Sequence, residues 1–290
     1  MKKVLVTGCN GQLGRAIQKE YAGDVTFILT DVAEREGITS LDITDIDAVM
    51  SLVLNEKPDV IINCAALTNV DGCEKMWDLA YKINAIGPRN LAIAATAVGA
   101  KLVHVSTDYV FSGTNCRPYV ETDATRPVSA YGRTKLAGEE ILQEVCPDAV
   151  IIRTAWLYSE FGNNFVKTVL RLGKERDELG FVFDQIGTPT YAGDLAAAIL
   201  TVVDSGERDA FVPGIYHFSD EGVCSWYDFT VKILEVAGIE CRVRPIETKD
   251  YPTKAVRPPY SVLNKKKIKE TYGIVIPHWE ESLRVCMEKL

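Results

Sequence analysis

Tyr131 and Lys135 are the two residues whose types and spacing most directly suggest chemistry. Side chains four residues apart on a helix lie on the same face. A tyrosine hydroxyl ordinarily loses its proton near pH ~10, but a neighbouring ammonium group stabilises the phenolate and should lower the pKa of Tyr131. The pair is therefore a candidate proton donor and acceptor near neutral pH. The same spacing also occurs on helix faces that only meet solvent, so other residues must decide between these alternatives.

Three glycines form a second candidate site, because they follow a short apolar run at residues 3–7 and precede a helical pattern. Gly8, Gly11 and Gly14 have the spacing Gly-x-x-Gly-x-x-Gly, which differs from the commoner Gly-x-Gly-x-x-Gly. A buried strand, a glycine-rich turn and a helix start predict a dinucleotide site. The backbone can approach the pyrophosphate there, and the helix N-terminus supplies amide groups.

Asp31 follows the second predicted strand and bears on the choice of cofactor. An acidic side chain about 20 residues past the glycine loop can bind both hydroxyls of the adenosine ribose, and it repels a 2′-phosphate. Arg35 lies four residues later and could accommodate that phosphate. We therefore expect NADH or NADPH, with NADH slightly favoured. Asp42 is a further candidate, placed near the adenine amino group.

Apolar runs that alternate with helical patterns predict the framework around these residues. Strands are expected at residues 25–30, 59–64, 101–105, 148–153 and 215–218. Helices are expected at residues 44–55, 73–98, 193–204 and 225–237. Ser129 should cap the helix that carries Tyr131, and Pro88 should kink the longest helix. The polar loop at residues 112–127 is rich in glycine and proline, which indicates a surface excursion.

The alternation of strands and helices predicts an α/β fold: a Rossmann-like doubly wound parallel sheet with a smaller, mostly C-terminal substrate-binding lobe. The NAD(P)-binding domain should span residues 1–153, with about 193–222 returning to it, and the substrate lobe about 154–192 and 223–290. Ligands in such sheets bind at the carboxyl ends of the strands. Ala65 and Ala66 are small enough there to let a cofactor lie against the backbone, and the Thr107 hydroxyl can bind a substrate carbonyl oxygen.

Composition narrows the class of protein. The chain has 290 residues, 47% of them hydrophobic and 25% charged, with a net charge of -8. These values are typical of a globular protein and argue against a nucleic-acid partner. No apolar run reaches the ~20 residues of a membrane span. The eight cysteines form no CxxC pair and the three histidines have no metal-ligand spacing, so we expect reduced thiols, a cytoplasmic location and no metal site.

The motifs in combination resemble the extended short-chain dehydrogenase/reductases over roughly the first 155 residues. The resemblance implies that Thr107 polarises the carbonyl, that Tyr131 transfers the proton, and that Lys135 lowers the tyrosine pKa and holds the nicotinamide ribose. The cofactor-binding residues predicted in this way are Gly8, Asn10, Gly11, Gln12, Leu13, Gly14, Asp31, Asp42, Ile43, Cys64, Ala65, Ala66, Thr68, Asn84, Ser106, Tyr131 and Lys135.

Segments of the second half extend the resemblance to the dTDP-4-dehydrorhamnose reductases over nearly the whole chain. They are residues 106–111, 153–158, 163–166, 184–190, 225–229 and 257–263. The family implies reduction of the C4 ketone of dTDP-4-dehydro-L-rhamnose by NAD(P)H, with a small-molecule dTDP-sugar as partner. The substrate-binding residues implied are Thr107, Asp108, Tyr109, Trp156, Asn164 and Arg257. A homodimer is left open.

Some positions depart from related patterns. Ser112 stands where this family usually has an acidic residue, and Ala16 stands where some members have a glutamate that helps to bind Mg²⁺. Trp156 could offer a stacking surface or belong to the core, and Arg257 could clamp a diphosphate or only stiffen a loop. The alternative functions are another nucleotide-sugar reductase or epimerase, or a non-catalytic regulatory subunit like that of methionine adenosyltransferase.

Overall fold

The computed structural model describes residues 2–21, 25–205 and 210–290. The strands are β1 (Lys2–Thr7), β2 (Val25–Asp31), β3 (Thr39–Ser40), β4 (Val60–Asn63), β5 (Lys101–Thr107), β6 (Val150–Thr154), β7 (Leu157–Tyr158), β8 (Glu178–Val182), β9 (Ile186–Gly187), β10 (Thr190–Tyr191), β11 (Gly214–His217), β12 (Cys224–Ser225) and β13 (Arg242–Ile246). The helices are α1 (Gln12–Glu20), α2 (Ile46–Glu56), α3 (Val70–Cys73), α4 (Trp77–Tyr81), α5 (Gly87–Val98), α6 (Ala130–Val145), α7 (Phe165–Glu175), α8 (Ala192–Ser205), α9 (Trp226–Ala237), α10 (Lys266–Tyr272) and α11 (Trp279–Met287).

Seven parallel strands form the main sheet in the order β3-β2-β1-β4-β5-β6-β11. The order reverses between β1 and β4, and such a switch point opens a crevice at the carboxyl ends of the strands. The predicted α/β fold with a doubly wound parallel sheet is confirmed. Strand β11 adds to the sheet beside β6, and α8 packs against α1, so the chain returns to the sheet after β10.

Successive residues of the central strands pack on opposite faces of the sheet. On one face Val6 and Ile62 pack with Leu195 of α8. On the other face Leu5 and Ile61 pack with helices α2, α5 and α6. Both faces are covered, which explains why these strands are apolar runs without polar alternation. Burial of each such aliphatic side chain stabilises the fold by about 1.5–3 kcal/mol.

The smaller lobe is built from three two-stranded sheets and helices α7, α9 and α11. Strand β13 pairs parallel with β8, β10 pairs parallel with β7, and β12 pairs antiparallel with β9. Its core contains Tyr158, Phe229, Leu234, Trp279 and Leu283, all buried. Within the described residues, no helix is long and apolar enough to cross a bilayer. All eight cysteines lie in the described parts of the chain, and none is paired with another there.

The predicted continuous helix over residues 73–98 is interrupted at 74–76, whereas residues 77–98 are helical throughout. Helix α3 ends at Cys73, α4 begins at Trp77, a π-helical turn spans Lys82–Ile86, and α5 begins at Gly87. Pro88 lies inside the uninterrupted helical stretch of residues 77–98 and directly follows the π-helical turn, which is a common site of helix irregularity. The hydrophobic period runs on through the π-helical turn, so periodicity alone does not reveal it.

The loop at residues 112–127 is not merely a surface excursion. Tyr119 is buried and its ring stacks on Phe111, with the centroids 4.2 Å apart. Its backbone N–H donates to the Val262 carbonyl at 2.9 Å. The loop therefore ties the end of β5 to the C-terminal part of the chain. Its composition misled the prediction because one aromatic side chain anchors an otherwise polar segment.

Candidate active site

Two adjoining cavities lie at the carboxyl ends of the central strands. One has a volume of about 590 Å³ and the other about 460 Å³. They share Gly8, Asn10, Gly11, Cys64 and Ala66, so together they form one groove across the switch point. Of the predicted site residues, the larger cavity is also lined by Gln12, Leu13, Gly14, Thr68, Ser106, Thr107, Asp108, Tyr109, Tyr131, Lys135, Trp156 and Asn164. The smaller cavity is also lined by Asp31, Asp42, Ile43 and Ala65.

Gly8 directly follows β1 and lets the backbone pass close to the backbone that follows β4. Its φ is +66°, and a Cβ atom placed there would lie 2.8 Å from the Ala65 Cα. Any other residue would be both strained and in collision with backbone atoms. Helix α1 begins at Gln12, so its free amide groups and positive dipole end face the loop. A glycine cradle at a helix start fits the pyrophosphate of a dinucleotide.

Asp31 is the last residue of β2 and lies beside the glycine loop. Its Oδ2 accepts a hydrogen bond from the Asn10 backbone N–H at 3.0 Å. The same cavity is lined by two exposed apolar side chains, Val32 and Leu79, and by Lys82. These three residues were not predicted. An exposed valine directly after the acidic residue is the sequence signal that could have indicated an apolar surface for a flat ring.

Tyr131 lies in the first turn of α6 at the floor of the larger cavity. The predicted Ser129 cap is confirmed, since its Oγ accepts from the Gly132 N–H at 3.1 Å. Thr107 ends β5, and its side chain lies close to that of Tyr131. Thr107 Oγ1 also donates to Asp108 Oδ1 at 2.9 Å. The structure thus brings the hydroxyls of Thr107 and Tyr131 together.

The expectation that Lys135 lowers the pKa of Tyr131 is wrong for this structure. Burial raises the pKa of Tyr131 above its ordinary value, and the nearby Thr107 side chain only partly opposes this. The Lys135 ammonium donates instead to the Val105 carbonyl at 2.7 Å. Burial lowers the pKa of Lys135 to about 8. Desolvation therefore has the largest effect on the pKa of both groups, and it cannot be inferred from spacing along a helix. Tyr131 is protonated at neutral pH.

Asn84, predicted to bind cofactor, lies in the π-helical turn and lines neither cavity. It is buried, and its side chain makes three hydrogen bonds. Oδ1 accepts from the Leu67 N–H at 2.8 Å, while Nδ2 donates to the Leu67 carbonyl at 3.1 Å and to Thr134 Oγ1 at 3.1 Å. Asn84 therefore fixes the segment after β4 against α6, and its contact with the groove is indirect.

Trp156 lines the larger cavity in a left-handed backbone conformation, with φ +47°. Its indole stacks on that of Trp226, with centroids 3.6 Å apart and planes 8° from parallel. One face of Trp156 is thus covered by a residue that sequence reasoning missed. Asn164 caps α7, and its Nδ2 donates to Gln12 Oε1 at 2.9 Å. This bond joins the second lobe to the helix that follows the glycine loop.

Arg257 does not line the cavities but lies close to Tyr109, which does. Its guanidinium donates from Nη2 to Asp71 Oδ2 at 2.9 Å. The other carboxylate oxygen of Asp71 accepts the Ala255 N–H at 2.9 Å. Asp71 was not predicted, and no local pattern marks it. Asp108 is buried beside Thr107, and burial raises its pKa to about 6.

Comparisons with known proteins agree with this geometry. The chain matches the family described as RmlD substrate binding domain over residues 1–290. It is 42% identical over 291 residues to the spore coat polysaccharide biosynthesis protein SpsK of Bacillus subtilis (strain 168), covering 100% of this chain and 98% of that protein.

Two solved structures are similar along their whole length. A dTDP-4-dehydrorhamnose reductase from Clostridium acetobutylicum is 49% identical with a TM-score of 0.92, covering 99% of this chain and 98% of that one. A dTDP-4-dehydrorhamnose reductase from Bacillus anthracis, solved in complex with NADP, is 41% identical with a TM-score of 0.91, covering 100% of both chains. The chain therefore belongs to the RmlD, or dTDP-4-dehydrorhamnose reductase, family of NAD(P)-dependent sugar-nucleotide reductases, and it has the extended short-chain dehydrogenase/reductase fold.

Proposed function

We propose that the protein reduces the C4 ketone of dTDP-4-dehydro-L-rhamnose to give dTDP-L-rhamnose, with NADH or NADPH as the reductant. The observation that carries the proposal is the protonated, buried Tyr131 beside Thr107, in a cavity continuous with the glycine loop. The identity of the nucleobase and of the sugar is taken from those relatives that are dTDP-4-dehydrorhamnose reductases. The main-sheet domain would bind the cofactor, and the smaller lobe would bind the nucleotide sugar.

A nicotinamide cofactor, when bound, supplies the hydride for this reduction. Gly8 and the start of α1 would hold its pyrophosphate, Asp31 its adenosine ribose, and Lys135 the nicotinamide ribose. Thr107 donates to Asp108 in this structure, so its hydroxyl would turn from that carboxylate to the substrate carbonyl oxygen when the sugar binds. Tyr131 would donate its proton to that oxygen as negative charge develops there, which requires the neutral phenol.

The burial of the site supports this direction of reaction. A tyrosine whose pKa lies above its ordinary value is fully protonated at pH ~7, as the reductive direction requires, although the higher pKa makes it a weaker acid. The charge that develops on the oxygen is stabilised best by fixed donors in a water-poor site. Trp156 and Asn164 would contact the sugar from the opposite lobe.

The proposal is tested by incubating the purified protein with reduced cofactor and a panel of dTDP-4-keto sugars. We expect cofactor oxidation with dTDP-4-dehydro-L-rhamnose and formation of dTDP-L-rhamnose, identified by mass spectrometry and chromatography. The unepimerised dTDP-4-dehydro-6-deoxy-D-glucose is the matched control. If only another dTDP-ketosugar is turned over, the protein is still a reductase, but that sugar is its substrate. Cofactor binding with no turnover of any sugar would favour a regulatory binding protein instead.

A further inference from the structure

His104 occupies the middle of a buried chain of hydrogen bonds that ends at Lys135. Thr7, Asn63 and His104 are directly paired across the adjacent strands β1, β4 and β5. Thr7 Oγ1 donates to Asn63 Oδ1 at 2.7 Å, and Asn63 Nδ2 lies 3.0 Å from His104 Nδ1. On the other side of the ring, His104 Nε2 lies 3.4 Å from Lys135 Nζ. All four side chains are buried.

The directions of these bonds fix which nitrogen of His104 carries the proton. The Ala65 backbone N–H donates to Asn63 Oδ1 at 3.0 Å. A backbone N–H can only donate, so the oxygen of the Asn63 amide must face Ala65 and its NH₂ group must face His104. His104 Nδ1 is therefore a hydrogen-bond acceptor. Burial, with a smaller contribution from Lys135, lowers the pKa of His104 well below 6.5, so the ring is neutral and its single proton lies on Nε2.

The Nε2–H group of His104 thus points at a lysine, which is an unusual partner for a donor. An ammonium group has three donors and no acceptor, whereas a neutral amine has a lone pair that can accept. Lys135 Nζ already donates to the Val105 carbonyl. Burial favours the neutral amine of Lys135, while Glu139 and Cys64 oppose it by favouring the ammonium. With a pKa of about 8, Lys135 is mostly the ammonium at pH 7, and the neutral amine becomes the major form only above that value. The His104 donor, 3.4 Å from Nζ, favours the neutral amine.

We propose that His104 is a positioning residue for Lys135: Asn63 holds it as the Nε2–H tautomer, and when Lys135 is the neutral amine His104 donates to its Nζ, which stabilises that form and fixes the direction of the lysine. The hydrogen bond itself does not depend on the reaction. Its catalytic meaning rests on the proposed function, because Lys135 lines the cavity beside Tyr131 and is assigned there to the nicotinamide ribose. The row of hydrogen bonds also connects Lys135 to Thr7, which is the residue before the glycine loop.

The tautomer is tested by ¹⁵N NMR of the full-length protein labelled at histidine, without substrate. Only three histidines are present, so the signals can be assigned by comparison with His104→Gln and His278→Gln. We expect one imidazole to show the neutral Nε2–H pattern unchanged between pH 6 and pH 9, and that signal to be lost in His104→Gln. An Nδ1–H tautomer or an imidazolium at His104 would overturn the proposal, whether or not any variant folds well.

The effect on the lysine is tested by ¹³C NMR of lysine ε-carbons, with the Lys135 signal identified by its loss in Lys135→Met. We expect the titration midpoint of Lys135 to move to higher pH in His104→Gln, because the amide carbonyl can accept from an ammonium. The midpoint should stay in place in His278→Gln, which changes a histidine at the start of α11. An unchanged midpoint in folded His104→Gln would contradict the proposal. Neither measurement uses turnover, so the two proposals can fail independently: a protein without the proposed activity could still show the expected NMR results.

Discussion

Arg257 Nη2 lies 2.9 Å from Asp71 Oδ2, which joins the C-terminal loop to the short helix α3 beside the groove. The pKa of the Asp71 carboxyl is lowered by this hydrogen bond more than by any other contact. Arg257 is thus already paired with an anion next to Tyr109. A substrate diphosphate would have to take the place of the carboxylate, so the net contribution of Arg257 to binding is smaller than that of a free cation.

We expect Arg257→Ala to weaken binding of dTDP, measured by titration calorimetry, and to leave cofactor affinity unchanged. A hydrogen bond to a charged group contributes about 1.5–3 kcal/mol, and because Arg257 must first leave Asp71 the loss should be at or below the lower end, roughly tenfold or less in affinity. Asp71→Asn is the matched control, since it keeps an oxygen for the Ala255 N–H but removes the competing charge. It should bind dTDP at least as tightly as the wild type. Equal dTDP affinity in Arg257→Ala would mean that Arg257 only holds the loop.

Asp31 should decide the balance between the two cofactors. Asp31→Asn keeps an oxygen for the Asn10 N–H and removes the charge that would repel a 2′-phosphate. Two like charges about 4 Å apart near a protein surface interact by up to about 4 kcal/mol. We therefore expect the ratio of kcat/KM values to shift toward NADPH by at least roughly tenfold. Glu34→Gln neutralises an exposed neighbour and should shift it little. A wild type that uses NADPH alone would refute this role of Asp31.

The glycine cradle predicts a sharp difference between two alanine substitutions. Gly8 and Gly99 have φ values of +66° and +71°, but only at Gly8 would a Cβ meet backbone atoms, since nothing lies within 4 Å at Gly99. Left-handed strain costs about 1–2 kcal/mol in either variant. We expect both proteins to lose thermal stability, and only Gly8→Ala to lose cofactor affinity. Equal cofactor affinities in the two variants would argue against a pyrophosphate cradle at Gly8.

The buried Lys135 should leave a signature in the pH dependence of stability. Between pH ~8 and its unfolded pKa near ~10.4, the lysine is charged in the unfolded chain and neutral in the folded one. The unfolded state then binds more protons, so the free energy of unfolding should rise with pH across that window. Urea unfolding of wild type and Lys135→Met at pH 7.5 and pH 10 isolates this term. The wild type should gain stability relative to the variant; a relative loss would mean that Lys135 is charged in the fold.

Local patterns were sufficient to predict much of the framework. The apolar runs at residues 3–7 and 101–105 correspond to buried central strands, because a sheet covered on both faces needs no polar alternation. Ser129 was recognised as a cap because its hydroxyl bonds within its own helix turn. The glycine loop was recognised because its strand, turn and helix are contiguous in the chain.

The parts that were missed depend on contacts between distant residues. Trp226 covers a face of Trp156 from another helix, and Asp71 pairs with Arg257 across 186 positions of sequence. Neither partner is marked by spacing. The pKa of Tyr131 was predicted in the wrong direction because desolvation depends on the whole fold, whereas the spacing to Lys135 reports only one neighbour.

Transfer of a deuterium label tests the central claim most directly. The protein is incubated with dTDP-4-dehydro-L-rhamnose and nicotinamide cofactor deuterated at the transferred position, and the sugar product is analysed by NMR. We predict deuterium at C4 of dTDP-L-rhamnose with the wild type. Tyr131→Phe, which keeps the ring packing but lacks the proton donor, should bind the cofactor normally and transfer label slower by at least about a hundredfold. Bound cofactor and bound ketosugar with no label at C4, or near-normal transfer by Tyr131→Phe, would contradict the account.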